Sequence, residues 1–238
     1  MAVVVAAIAI FVLCFIGPST SPFRGSSLAA LPTVESGSGT PDTLIDDLDK
    51  VIQQRFLTAP GFGRARIAPM HPTGPTPSHV GTFTPNTTDE FAIVSALEKE
   101  GLDVGIYLSG RTVTPLKKPK NGKDYEVRYR LFNPIPVTKG LKRSSFIKQI
   151  KLADEVKRSF YEFQDPSSPN VDGRTFTVGH WSYVARPVRA SQQSCVQCHR
   201  DYVITEKVAE GKFTARPRRI GDVNGVLFYA VRKHQIKN

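Results

Sequence analysis

Cysteine is scarce in this chain. There are three in 238 residues: Cys14 in an apolar N-terminus, and Cys195 and Cys198 close together near the other end. That count gives no basis for a disulfide-stapled scaffold. Methionine is rarer still, with only Met1 and Met70. Acidic residues are outnumbered, 21 against 32 Lys and Arg, so the net charge is +11. A basic balance admits nucleic acid, an anionic membrane or an acidic protein as partner. The cations fall in three scattered clusters: Lys117, Lys118, Lys120 and Lys123; Lys139, Lys142 and Arg143; and Arg216, Arg218 and Arg219. None lies in a nucleic-acid module, so the expectation is no nucleic acid, a largely solvated basic surface and a minor role in steering a partner. There is no internal repeat.

The first 17 residues are the one long apolar run. Ala2 to Gly17 is rich in Val, Ile and Ala, and Gly17-Pro18-Ser19-Thr20 breaks it. This has the form of an export-signal core, although its only positive charge is the terminal amine. Ser27-Leu28-Ala29 offers a small-x-small cleavage site, while the run is near the lower limit for a membrane span. Residues 1–17 are therefore expected to be a signal peptide or an uncleaved anchor. Leu13 stands before Cys14 where a lipoprotein would have a small residue, so Cys14 reads as a membrane-embedded thiol. Residues 18–40, rich in Ser, Gly, Pro and Thr, read as a flexible linker.

The remainder, residues 41–238, reads as one domain. Pro41-Asp42 opens a helix with Leu44, Ile45, Leu48, Val51, Ile52 and Phe56 at helical spacing. Residues 59–88 form a long Pro- and Gly-rich loop. Thr87-Thr88-Asp89-Glu90 has the pattern of a capping box. The helix it starts is expected to turn Phe91, Val94 and Leu97 inward and to stop at Gly101. A strand over Leu102–Ser109 is expected to turn at Gly110-Arg111 into a basic loop. Asp124–Phe132 alternates as a half-buried strand does. Phe146, Ile150, Ala153, Val156, Phe160 and Phe163 make an apolar helix stripe with a cap at Ser144 or Ser145. Arg174–Val188 is long enough for two strands or one bent near Gly179, and Val226–Val231 is apolar on both faces, as a central strand would be. The pattern predicts an α+β fold: a small antiparallel sheet with helices packed on it.

Cys195-Val196-Gln197-Cys198-His199 is the C-x-x-C-H attachment pattern for c-type haem. Two thiols can add to the two vinyl groups of one haem, and the adjacent His can ligate its iron. Zinc is a weaker alternative, because the pattern supplies three ligands and no second Cys pair exists. A thiol–disulfide pair is a second weaker alternative, because such pairs sit in a βαβ setting, the flanking strands here read as antiparallel, and it leaves His199 unexplained. The expected cofactor is one covalent haem c, with Cys195 and Cys198 as thioether links and His199 as proximal ligand. No Met follows the motif, so a sixth ligand must come from elsewhere. His71 is the first candidate distal ligand, with His79, His180, Met70 and His234 as alternatives. Bis-His ligation lowers the potential relative to His/Met, and an open position admits a small gas. Arg186, Arg189 and Arg216–Arg219 are candidates for pairing with haem propionates. Trp181, Tyr183 and Phe228 read as haem-packing aromatics or as ordinary core.

Phe132-Asn133-Pro134, the amphipathic helix, the strand Trp181–Val188, Cys195–His199 and the strand Gly221–Val226 follow one another in an order that resembles the haem c-binding PAS-like domains of bacteria. The resemblance covers roughly residues 89–238. It implies a PAS-like sheet with haem against one face and a redox or small-ligand sensing role. Such domains occur as extracytoplasmic sensors of membrane receptors and as free-standing proteins. Here no second membrane span, kinase or signalling helix follows, so a sensor of this form would signal through a partner. The expected protein is exported to the periplasm or the outer face of the cytoplasmic membrane. It carries electrons or senses redox state or a small ligand, and its partner is a redox protein or a membrane sensor or electron-transfer complex. It is more an electron carrier or sensor than an enzyme; a peroxidase-type haem enzyme and a zinc-binding module are the alternatives.

Overall fold

The computed structural model describes residues 40–59, 63–68, 81–120, 123–198, 203–209 and 212–234. In chain order the elements are α1 (Pro41–Thr58), α2 (Thr88–Lys99), β1 (Leu102–Lys120), β2 (Lys123–Leu131), β3 (Ile135–Pro136), α3 (Ala153–Gln164), β4 (Arg174–Val178), β5 (Trp181–Arg189), α4 (Gln193–Cys198), β6 (Val203–Ala209), β7 (Lys212–Pro217) and β8 (Val223–Lys233). Residues 1–17, expected as a signal peptide or anchor, and residues 18–39 of the expected linker lie outside the described residues.

The architecture is α+β. The main sheet runs β2-β1-β8-β5-β4, with β3 paired to β1, and every pairing is antiparallel. As its sequence implies, β8 is central, and its two faces feed two cores. Leu227 and Tyr229 join Val104, Ile106, Leu108, Val184 and Val188 under α1 and α2. Val226, Phe228 and Ala230 join Tyr107, Trp181 and Tyr183 under α3. Burying each large apolar side chain of this kind contributes about 1.5–3 kcal/mol, so both layers are sources of stability.

The helices form for reasons visible in the chain. Pro41 sits in the first turn of α1, with Asp42 beside it. Leu44, Ile45, Leu48 and Ile52 are buried there. The capping box is present: Glu90 N–H donates to the Thr87 hydroxyl at 3.3 Å, and Thr87 N–H donates back to the Glu90 carboxylate at 3.2 Å. Gly101, at φ 64°, ends the segment where a left-handed residue is needed.

Several expectations are corrected. β1 does not turn at Gly110-Arg111; it continues, pairing Gly110 with Arg130 and reaching Lys120 opposite Lys123. The two residues between those lysines are Asn121-Gly122, a hairpin signal stronger than the Gly-Arg pair. Phe91 is 57% exposed, and Ile93 takes the inward position beside Val94 and Leu97. Ile150 is 78% exposed because the chain is 3-10 over Gln149–Leu152, so neither Ser144 nor Ser145 caps the α-helix that begins at Ala153. Arg174–Val188 is two strands with Gly179-His180 between the paired Val178 and Trp181. A hairpin, β6–β7, follows the motif.

Candidate functional site

α4 carries both motif cysteines. Its base is fixed by the chain on either side. Ala190, just past β5, donates to the Asp222 carbonyl at 2.8 Å and accepts from Gly221 N–H at 2.7 Å. Arg189 donates to the carbonyls of Gly221, Phe163 and Val171 at 3.1, 3.1 and 2.7 Å. Beyond the β6–β7 hairpin, Arg216 holds both Asp222 carboxylate oxygens, at 2.7 and 2.8 Å, and Arg219 N–H donates to the same group at 2.6 Å. Burial pushes the Asp222 pKa up, but the bonds from Arg216 and Arg219 outweigh it and hold the carboxyl below its ordinary range.

α4 overlooks a cavity of about 890 Å³. Half-buried Cys195 is on its wall. The apolar lining comes from Phe56 and Leu57 of α1, Leu108 of β1, Phe132, and Pro187 and Val188 of β5. Gly225 of β8 is at its floor, where a Cβ would lie 2.8 Å from the Ser109 carbonyl oxygen. The strands therefore approach there only because this residue has no side chain.

Among the described residues, five charged ones line the same space: Asp49, Arg66, Asp172, Arg186 and Arg189. Arg186 Nη2 pairs with Asp46 Oδ1 at 2.5 Å, and Arg66 donates to the Phe56 carbonyl. Asp49 Oδ1 accepts from the buried Tyr229 hydroxyl at 2.7 Å and from Gln53 Nε2 at 3.3 Å. Gln53 Nε2 also donates to the Pro187 carbonyl at 3.1 Å. Burial raises the pKa of Asp49 despite these donors and the nearby Arg186. Asp49, Gln53, Tyr229 and Arg66 are not among the residues singled out from sequence. The available signal was an acid at 49 in line with Ile45 and Phe56, polar within an otherwise apolar helix stripe.

The expected site residues are distributed unevenly. Cys195 and Cys198 share α4. His199, Met70, His71 and His79 lie outside the described residues. His180 is the exposed turn residue between β4 and β5, and His234 follows the last residue of β8. Both are at the end of the sheet away from α4. Nine residues of strand separate His180 from Arg189, and ten separate His234 from Asn224. The cavity lining begins nearer, at Arg186 on β5 and Leu108 on β1, so at about 3.3 Å per residue both histidines are about 20 Å or more from it along the strands. His234 Nδ1 is 2.8 Å from the Oδ1 of buried Asp103, which also holds Arg232 at 2.8 Å. The segment carrying Met70, His71 and His79 is tethered at both shoulders by one residue: Arg55 donates to the Ile67 carbonyl at 3.0 Å and to the Thr84 carbonyl at 2.7 Å.

Trp181, Tyr183 and Phe228 belong to the core under α3, on the sheet face opposite Leu108 and Val188. Phe146 stacks on Trp181 at 4.9 Å and Phe176 on Tyr183 at 5.1 Å, so their partners are other aromatics. Arg189 is committed to backbone carbonyls and Arg216 to Asp222, while Arg218 donates to the Val223 carbonyl and the Asn224 side chain. Among these cations Arg186 lines the cavity with its guanidinium on a single carboxylate oxygen. Among the described residues, no three His, Cys, Asp or Glu side chains gather as a metal-ligand set, and no helix is long and apolar enough to cross a membrane. No protein-family model, curated protein or solved structure matches this chain.

Proposed function

We propose that this is an exported c-type haem protein with one covalent haem, linked through Cys195 and Cys198 and ligated by His199. One observation carries the reading: Cys195 opens onto a largely apolar cavity of about 890 Å³, at the upper end of the roughly 300–1,000 Å³ typical of ligand sites. The residues present fit the group: both motif cysteines on one short helix, Cys195 lining the cavity, apolar lining residues from α1, β1 and β5, and Arg66 and Arg186 as cations for propionates. Bound haem supplies a one-electron couple and, with an open coordination position, a site for a small ligand.

The chain's own residues would hold and tune it. Phe56, Leu57, Leu108, Phe132 and Val188 exclude water and lower the local dielectric. His71 is the first candidate distal ligand and His79 the second. Both belong to the segment whose shoulders Arg55 tethers, and Ala68 is only two residues beyond the cavity-lining Arg66. His180 and His234 are weaker candidates on position, and Met70 remains an alternative. The PAS-like part of the reading is supported by strand order: with β3 and the β6–β7 hairpin set aside, the five strands run 2-1-5-4-3.

The function is electron transfer or redox and small-ligand sensing at the periplasmic or outer face of the cytoplasmic membrane. The partner is a redox protein or a membrane sensor or electron-transfer complex, and residues 1–17 act as export signal or anchor. The test is a pyridine haemochrome spectrum of protein produced with a c-type maturation system. A haem c spectrum at one haem per chain is expected; zinc without haem absorption overturns the proposal.

A further inference from the structure

We propose that Asp49 is the proton-binding group of the haem cavity: its carboxyl takes up a proton as the site gains an electron and releases it on reoxidation. The protein would then move an electron and a proton together. This inference rests on the haem reading of the same cavity.

The geometry gives Asp49 a defined place. It lines the cavity that Cys195 also lines. Its Oδ1 is fixed by the Tyr229 hydroxyl at 2.7 Å and by Gln53 at 3.3 Å. Tyr229 is fully buried in the central strand, and Gln53 is itself anchored to the Pro187 carbonyl at 3.1 Å. The other oxygen, Oδ2, is the one left to carry a proton.

The surrounding charges leave Asp49 without an ion-pair partner among the described residues. On its own helix it faces Asp46 and Gln53. From β5 it faces Arg186, whose guanidinium pairs with Asp46 at 2.5 Å. Tyr229 faces it from β8. Arg189, Arg66 and Asp172 line the cavity as well, but Arg189 is spent on three carbonyls and Arg66 donates to the Phe56 carbonyl. A carboxylate in an apolar wall is disfavoured by desolvation unless a cation offsets it. Burial accordingly raises the pKa of Asp49, with Tyr229, Gln53 and Arg186 pulling the other way and Asp46 adding to the rise.

The site's oxidation state alters that balance. The oxidised site carries one more positive charge than the reduced site, and a nearby positive charge favours the ionised carboxyl. Reduction removes that charge and favours the acid. The step balances: bound haem would supply the one-electron couple, the electron coming from a one-electron donor protein. The Asp49 carboxylate takes one proton from the buffered solvent and becomes the carboxylic acid, and reoxidation would return both the electron and the proton.

The test is a spectroelectrochemical titration of the haem-loaded full chain at a series of pH values. Between the Asp49 pKa values of the two oxidation states, the reduction equilibrium should change up to tenfold per pH unit, which is 59 mV for a one-electron couple. Asp49→Asn should remove the dependence while keeping the Tyr229 and Gln53 bonds. Tyr229→Phe removes a donor that lowers the pKa, so it should move the window to higher pH. Infrared difference spectra of the wild-type protein give an independent reading: a protonated-carboxyl band appears on reduction and is absent in D49N. A wild-type slope retained in D49N overturns the proposal, as does a flat titration with no such band. Protein with no c-type haem absorption overturns the haem reading itself, an outcome separate from the other two.

Discussion

Arg55 and Glu90 meet as a buried two-point ion pair, with Nε to Oε1 and Nη2 to Oε2 both at 2.6 Å. The side chains are only 9% and 4% exposed. The pair joins α1 to α2, and the same guanidinium holds the carbonyls of Ile67 and Thr84 and covers the Phe83 ring at 4.4 Å. Removing one partner strands the other charge in the core, so Arg55→Met and Glu90→Gln should each cost about 3–5 kcal/mol. Urea unfolding measures this, and the double variant should cost clearly less than the sum of the singles.

The pH dependence of stability follows from the same carboxylate. Burial raises the pKa of Glu90, but the bonds from Arg55 and from the Asn86 and Thr87 N–H groups outweigh it and hold the group low. A carboxyl with a depressed folded pKa contributes stability above its unfolded value, about 4.3 for Glu. That contribution is lost as pH falls through the folded value. Asp222 acts in the same direction from about 3.9. Unfolding free energy should therefore drop below about pH 4, and E90Q should flatten that acid limb. Asp49 has the opposite sign: its raised pKa means a contribution present at low pH and lost as pH rises through the folded value.

The cavity floor offers a steric test. A methyl group on Gly225 would lie 2.8 Å from the Ser109 carbonyl oxygen, which belongs to the neighbouring strand and cannot swing aside. Gly225→Ala should cost about 1–3 kcal/mol by overpacking. Thermal unfolding checks it. Gly110→Ala is the control, because nothing lies within 4 Å of its added carbon.

Ligation can be assigned by histidine substitution in the haem-loaded protein. His180→Ala and His234→Ala should leave the visible spectrum unchanged, since both positions are about 20 Å or more along the strands from the residues that line the cavity. His71→Ala should convert a six-coordinate low-spin spectrum to a high-spin one. A spectral change in H180A or H234A with none in H71A would overturn that assignment.

Local signals carried much of the fold. The Thr87–Glu90 capping box, the alternation in β2 and the two apolar faces of β8 each reflect a constraint written within a few residues. Failures arose where tertiary pairing overrode a local cue. Gly110 resembles a turn, yet β8 and β2 hold it in the middle of β1. Ile150 fits a helical stripe, yet the backbone before Ala153 is 3-10 and turns it outward. In the site, the Cys195–Cys198 spacing was legible because the motif lies within one short stretch of chain, the helix α4. Asp49 was not, because its meaning depends on Tyr229, 180 residues away in the chain and 2.7 Å away in space.

The central claim is that Cys195 and Cys198 hold one haem covalently, and intact-mass measurement of the denatured, acid–acetone-extracted protein tests it most directly. The account predicts a wild-type mass increased by one haem and retained through extraction, with no such increase in the Cys195→Ser/Cys198→Ser double variant. Wild-type protein from a haem c-maturing host at the bare polypeptide mass would contradict it.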